Sequence, residues 1–111
     1  MILFRQEHVA PILAGEKVQT RRLGDRRWKV GSLHQCRTRM LDKSSCFAVV
    51  CIVDVFQQAL RDMNAADARA EGYPTRELYF AEFADIYGMA AYKIHPDWPL
   101  WVVTFKLVAT P

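Results

Sequence analysis

The sequence lacks the features that mark several classes of protein. Its three cysteines form no CxxC pair and its three histidines have no ligand spacing, so we predict no disulfide framework, no metal site and no cofactor. The longest apolar run, Phe47–Val53, is far shorter than the roughly 20 residues that cross a bilayer. We therefore predict no membrane segment.

The first residues also lack the pattern of a signal peptide. Met1–Phe4 is followed at once by Arg5, Gln6 and Glu7, with no charged region leading into a long apolar core. We expect a cytoplasmic protein. The 111 residues, 51% of them hydrophobic and 24% charged, suffice for one hydrophobic core, so residues 1–111 are predicted to form a single domain.

Hydrophobic periodicity predicts an α+β chain. Helices are predicted over Glu7–Ala14, over Ala65–Glu71 after an Asn64 cap, and from the residue after Thr75 to about Tyr87. Strands are predicted over Ser32–Met40, Cys46–Phe56 and Leu100–Val108, with Ile2–Phe4 either a short strand or the lead into the first helix and Met89–Pro99 irregular. This order favours a small mixed β-barrel with short helices at its ends over a parallel α/β sheet.

Side-chain patterns predict which faces of these elements are buried. Cys46–Phe56 is almost continuously apolar, which is typical of a strand covered on both sides. In the last strand Trp101, Val103, Phe105 and Leu107 share one face, which we expect to complete the sheet. The last helix has an apolar stripe, predicted to be core, made of Tyr79, Phe83, Ile86 and Tyr87.

One segment, Gly15–Arg22, combines an amine, a hydroxyl and two guanidiniums just past the end of a predicted helix. Lys17 and Thr20 would point to opposite faces of a regular strand, so a shared site requires irregular backbone here. A solvated basic surface explains the composition equally simply. Glu71 is a second candidate, because it lies in the last turn of a helix, where the dipole disfavours negative charge.

The spacing of Gly15, Lys17 and Arg22 fits the pattern GxKxxxxR, and it follows Ile12-Leu13-Ala14. Later segments extend the match over nearly the whole chain: Lys29-Val30-Gly31, Ala70-Glu71-Gly72 and Trp101-Val102-Val103-Thr104-Phe105. In these features the sequence resembles the ASCH domains, the ASC-1 homology family of the PUA-like superfamily. The resemblance implies a PUA-like barrel.

Within that family the sequence is most similar to small amidohydrolases that remove the acyl group from N4-acetylcytidine. Their Lys-Thr-Glu constellation falls on Lys17, Thr20 and Glu71, and Arg22 takes the terminal basic position of the motif. The resemblance implies that these residues are catalytic and that the substrate is an acylated pyrimidine nucleoside. We expect a wall that binds the substrate, made of Arg21, Arg22, Phe4, Trp28 and Tyr79.

Two mechanisms fit these residues. In the first, Thr20 attacks the acyl carbonyl, Lys17 takes its proton, and Glu71 orients the site or carries a proton to the leaving amine. Lys17 must then be neutral, which requires burial and the fields of neighbouring arginines to lower its pKa. In the second, Lys17 and Glu71 activate water and Thr20 positions the substrate.

Other functions compete with hydrolysis. PUA-like domains generally bind RNA, and a row of basic side chains could follow its backbone: Arg21, Arg22, Arg26, Arg27, Lys29, Arg37 and Arg39. Ribonuclease activity, attributed to some ASCH proteins, and noncatalytic sensing of a small ligand are further alternatives. The sequence leaves the acyl preference and the oligomeric state open.

Overall fold

The computed structural model describes residues 1–88, 97 and 99–111, so the predicted irregular segment Met89–Pro99 falls almost entirely outside the described residues. The strands are β1 Ile2–Leu3, β2 Gln19–Arg22, β3 Leu33–Arg37, β4 Cys46–Ala59 and β5 Pro99–Ala109. The helices are α1 Val9–Leu13, α2 Ala65–Ala70 and α3 Arg76–Tyr87. Three short 3-10 turns cover Gln6–His8, Lys43–Ser45 and Leu60–Asp62.

The strands form one mixed sheet in the order β1-β3-β4-β5-β2. β1 runs parallel to β3, and the other neighbours are antiparallel. The sheet curves into a half-barrel that carries three short helices, which confirms the predicted α+β class and mixed barrel. None of the helices within the described ranges combines the length and the apolar content that crossing a bilayer would need.

Two clusters of buried side chains make up the core. The first lies inside the half-barrel and includes Ile2, Ile52 and Phe105. The second lies between the sheet and the helices α2 and α3, and includes Leu60 and Phe83. β5 serves both clusters, because its side chains alternate between the two faces of the sheet.

The prediction that Cys46–Phe56 is covered on both sides is wrong. Alternate residues Ala48, Val50 and Ile52 are buried, whereas Val53 is exposed. The strand also contains a β-bulge, because Ile52 pairs with Phe105 and Asp54 with Thr104, which leaves Val53 unpaired. The strand continues beyond this bulge to Ala59.

One further strand prediction needs correction. β3 ends at Arg37 instead of Met40, because the chain turns where Arg39 donates to the Asp42 carboxylate and Asp42 caps the following 3-10 turn. Trp101 shares a face with buried Val103 and Phe105 but is only half-buried, and its indole N–H donates to Gly24 O at 3.0 Å.

The helix ends agree well with the sequence. Gly15 follows α1 with a φ of +75°, although the predicted Glu7–Ala14 helix is split into a 3-10 turn and α1. Asn64 and Asp67 form a reciprocal capping box at the start of α2. The Thr75 hydroxyl accepts from Leu78 N and caps α3.

Candidate active site

The C-terminal end of α2 docks onto the segment between α1 and β2. Val18 N donates to Ala70 O at 2.8 Å, and Lys17 Nζ donates to Glu71 O at 2.6 Å. Carbonyls at a helix end have no partner within the helix, so the Lys17–Val18 segment satisfies two of them. The helix end and the lysine therefore fix each other's position.

The Glu71 carboxylate lies between two buried cations. Lys17 Nζ is 3.0 Å from Oε1, and Arg21 Nη1 is 3.0 Å from Oε2. All three residues are at most 4% exposed. Each carboxylate oxygen thus has its own charged donor, which offsets both desolvation and the unfavourable position at the helix end.

Lys17 has the surroundings of an ammonium group. Its three acceptors are Gln19 O at 3.0 Å, Glu71 O and Glu71 Oε1, and an ammonium has three N–H donors. Burial nevertheless lowers the pKa of Lys17 from its ordinary value, and the charges of Arg22 and Arg21 lower it further, against the pull of Glu71. The residue is a cation at rest that gives up its proton more readily than an exposed lysine.

Thr20 lies in the regular part of β2, paired with Val103, and is 4% exposed. Arg22 Nε donates to Thr20 Oγ1 at 2.9 Å, and Arg22 Nη2 donates to Leu3 O at 2.8 Å. The irregular backbone expected in this segment lies at Lys17 and Val18, since β2 begins at Gln19. The hydroxyl oxygen therefore carries a charged donor that would stabilise it as an alkoxide.

A second layer of polar groups holds Arg21. Arg21 Nε donates to Gln58 Oε1 at 3.1 Å, and Gln58 Nε2 donates to Asp67 Oδ2 at 3.1 Å. Arg21 Nη2 is 3.5 Å from Asp67 Oδ1, too long for a well-aligned hydrogen bond. Since Asp67 also belongs to the capping box of α2, the same network orients both ends of that helix.

Lys17, Thr20, Arg21, Arg22 and Glu71 line a cavity of about 290 Å³. One wall comes from α3, whose residues Tyr79, Glu82, Phe83 and Ile86 follow the helical repeat along one face. The Phe4 ring forms part of the lining. Its centroid is 6.0 Å from Lys17 Nζ and 5.4 Å from Arg22 Cζ.

Comparison with known proteins concerns the fold. No family model matches the sequence, and no curated protein matches it. A protein from Enterococcus faecalis assigned to family DUF984 superposes with a TM-score of 0.71 at 18% identity, over 95% of this chain and 72% of that one. An ASCH domain from Lactobacillus crispatus superposes with a TM-score of 0.71 at 17% identity, over 89% of this chain and 69% of that one. The fold is ASCH-like.

The ASCH-like fold brings most of the predicted site residues to the cavity: Lys17, Thr20, Glu71, Arg21, Arg22, Phe4 and Tyr79. Trp28 is the exception, and its expected place in the substrate-binding wall needs correction. The indole is buried in the first core cluster, and Arg22 Cζ lies 5.9 Å from its ring. Trp28 therefore supports Arg22 and does not line this cavity.

Three polar residues of the lining that were not predicted lie close to one another. Tyr73 Oη is 3.3 Å from His8 Nε2, and Glu82 Oε1 is 3.9 Å from the same nitrogen. Glu82 had a sequence signal, because it follows Tyr79 by three residues and precedes Ile86 by four, which puts a carboxylate inside an apolar stripe. Neither His8 nor Tyr73 had a sequence signal, because only the tertiary fold brings the two residues together.

The cavity carries more positive than negative charge around Glu71. Three cations, Lys17, Arg21 and Arg22, surround one carboxylate, Glu71. Such a site favours a reaction in which negative charge develops on the substrate. In residues 1–88, 97 and 99–111 no group of three or more His, Cys, Asp or Glu side chains is placed to hold a metal ion.

Gly72 provides a test of the contact between α2 and Lys17. Its φ is +95°, and a Cβ there would lie 3.3 Å from Lys17 Cβ. Gly24 has the same φ with open space around it, so Gly24→Ala is the matched control. We expect Gly72→Ala to lower the free energy of unfolding by about 1 kcal/mol more than Gly24→Ala, measured by urea denaturation. Equal losses would contradict the contact.

His8 provides a test of the electrostatics. Burial, with the charge of Lys17, lowers the pKa of His8 from 6.5 to about 4, against the opposing charges of Glu7 and Glu71. Between pH 6.5 and about 4 the unfolded chain therefore binds a proton that the folded protein does not. The free energy of unfolding should fall with pH through that window by about 2 kcal/mol, since the side chain keeps some exposure.

The measurement compares urea denaturation at pH 7 and pH 4.5 for the wild type and His8→Gln. Glutamine keeps a polar group beside Tyr73 but does not titrate. The variant should lose less stability than the wild type on acidification. An identical loss in both proteins would show that His8 titrates normally.

Proposed function

We propose that this protein is an amidohydrolase that removes the acyl group from N4-acylated cytosine nucleosides such as N4-acetylcytidine. The observation that carries the proposal is the buried Lys17–Glu71 pair beside Thr20 at the wall of one cavity. The resemblance of the Lys17, Thr20 and Glu71 motifs to the amidohydrolase branch of ASCH proteins supplies the substrate class.

The cavity suits a single pyrimidine with a small acyl group. Its volume of about 290 Å³ is at the lower end of the range for small-molecule sites, and aromatic side chains such as Phe4 and Tyr79 line it. The aromatic rings offer apolar surface to a base, while the polar groups of Lys17, Thr20 and Glu71 meet the amide.

The first step requires a neutral Lys17. Its hydrogen bond to Glu71 Oε1 provides the route, because the ammonium can pass a proton to that carboxylate when the substrate excludes water. Burial favours the transfer, since it replaces two buried charges by two neutral groups. Lys17 Nζ then accepts the proton of the Thr20 hydroxyl.

Thr20 Oγ1 next attacks the acyl carbon, and the carbonyl oxygen becomes an oxyanion. Arg22 is the charged donor nearest to the attacking oxygen, and two of its five N–H groups are engaged by Thr20 and Leu3. Its positive charge stabilises the oxyanion and so lowers the barrier to forming the tetrahedral intermediate. When the C–N bond breaks, N4 takes the proton held by Glu71, and cytidine leaves with a neutral amino group.

Water then hydrolyses the acyl-threonine. Glu71 accepts a proton from the water as the oxygen attacks the acyl carbon, and Lys17 returns a proton to Thr20 Oγ1 as the ester bond breaks. The proton on Glu71 passes back to Lys17, which restores the ion pair and releases the carboxylic acid. In the alternative mechanism, Lys17 and Glu71 activate water directly and Thr20 only positions the substrate.

RNA binding has weaker support from the surface. Of the seven basic residues available for a backbone track, Arg21 is buried and bonded to Glu71, and Arg22 lines the cavity. Arg37 donates to Gln35 and Met40 O, and Arg39 donates to Asp42. An RNA backbone would have to compete with these intramolecular partners to bind the basic side chains.

The first test is cytidine release from N4-acetylcytidine by the purified protein. Wild type should liberate cytidine, and Lys17→Ala, Thr20→Ala and Glu71→Gln should each lower kcat/KM by at least about 100-fold, the scale of a lost acid, base or nucleophile. Lys29→Ala is the control, since Lys29 is exposed and lies outside the cavity lining. Turnover that survives all three changes would exclude this site.

The second test separates the two mechanisms. If Thr20 is the nucleophile, rapid acid quenching followed by intact-protein mass spectrometry should detect one acyl group on the wild type and on Thr20→Ser. Thr20→Ala should carry none. Active enzyme without an adduct in either hydroxyl form, together with substantial turnover by Thr20→Ala, would favour direct attack by water.

A further inference from the structure

The cavity has a second polar group that the proposed chemistry does not use. It consists of Glu82 on α3, Tyr73 between the last two helices, and His8 before α1. The Phe4 ring connects it with the catalytic end, because its centroid is 6.4 Å from the His8 ring and 6.0 Å from Lys17 Nζ. One small ligand can therefore contact both polar groups.

Glu82 presents a buried acceptor at the cavity wall. Its Oε1 atom is buried and accepts no hydrogen bond within the described part of the chain, although the side chain as a whole is 18% exposed. Arg5 Nη1 approaches it at 3.3 Å but donates to the Asp85 carboxylate at 2.7 Å. A buried acceptor of this kind is costly unless a ligand completes it.

Arg5 is the charged neighbour of Glu82, whereas His8 and Tyr73 are neutral at physiological pH. His8 has a pKa of about 4, and burial with the charge of Glu82 raises the pKa of Tyr73. The group thus offers a carboxylate acceptor, an imidazole and a phenol hydroxyl. This set suits a neutral ligand with several hydroxyls, whereas a phosphate would be repelled by Glu82.

We propose that Glu82, with Tyr73 and His8, binds the ribose hydroxyls of the substrate, which makes Glu82 a specificity-determining residue that selects nucleosides over free bases. This inference rests on the proposed amidohydrolase function. The base then lies against the aromatic lining, with its N4-acyl group at Lys17 and Thr20 and its sugar at Glu82. A sugar hydroxyl donates to Glu82 Oε1 beside its ion pair with Arg5.

The test compares N4-acetylcytidine with N4-acetylcytosine as substrates for the wild type and Glu82→Gln. Glutamine keeps the shape of the side chain but removes the charge that strengthens a hydrogen bond from a hydroxyl. The ratio of kcat/KM for the nucleoside to that for the base should exceed one in the wild type and fall about tenfold in the variant, chiefly through KM for the nucleoside.

Glu77→Gln is the matched control, because Glu77 is an exposed glutamate on the same helix that lies outside the cavity lining. Its ratio should equal that of the wild type. Tyr73→Phe, which removes only the hydroxyl, should lower the ratio in the same direction as Glu82→Gln. Equal losses for both substrates, or an unchanged ratio in Glu82→Gln, would overturn the sugar site.

Binding of the products separates this inference from the proposed function. Calorimetry should give tighter binding of cytidine than of cytosine to the wild type, and Glu82→Gln should remove most of the difference. That result without any hydrolysis would support the sugar site and refute the amidohydrolase. Hydrolysis by a protein that binds cytidine and cytosine equally would refute the sugar site alone.

Discussion

The buried carboxylate of Glu71 is the constraint on which the site depends. It is buried, and Lys17 and Arg21 each lie 3.0 Å from one of its oxygens. Breaking a buried ion pair by removing one partner typically costs about 3–5 kcal/mol, because the remaining charge is uncompensated. This arrangement of three charges depends on the position of α2, on Gly72 after it and on the start of β2.

The half-barrel and helix α3 form different walls of the cavity. The sheet supplies the charged side chains of β2 and places Phe4 beneath them, while α3 closes the cavity with one face of aromatic and apolar residues. The two core clusters meet across β5, so the packing that stabilises the sheet also holds α3 in place. The sheet and α3 thereby enclose a polar site between them.

Sequence patterns predicted the parts of this structure that depend on local interactions. The ends of α2 and α3 followed from Asn64, Thr75 and the glycines, because caps act within one turn. The grouping of Lys17, Thr20 and Glu71 followed from the resemblance to ASCH motifs, since spacing along the chain carries no information on contacts 54 residues apart.

The features missed by sequence analysis depend on tertiary packing. The bulge at Val53 shifts by one residue the alternation of side chains between the two faces of β4. No residue type at that position predicts the bulge. Trp28 was expected in the substrate-binding wall but lies in the core, because aromatic residues suit both hydrophobic cores and binding sites. The sequence places Glu82 within the apolar stripe of α3, but its proximity to His8 and Tyr73 depends on the tertiary fold.

The pairing of β2 with β5 has a consequence for how the protein is made. Gln19 and Thr104, joined by a side-chain hydrogen bond, are 85 residues apart in the chain, and β5 is the neighbour of β2 in the sheet. Closing so long a loop is slow compared with forming local turns. During translation the segment that carries Thr20 must therefore wait for β5 to leave the ribosome before it can pair in the sheet.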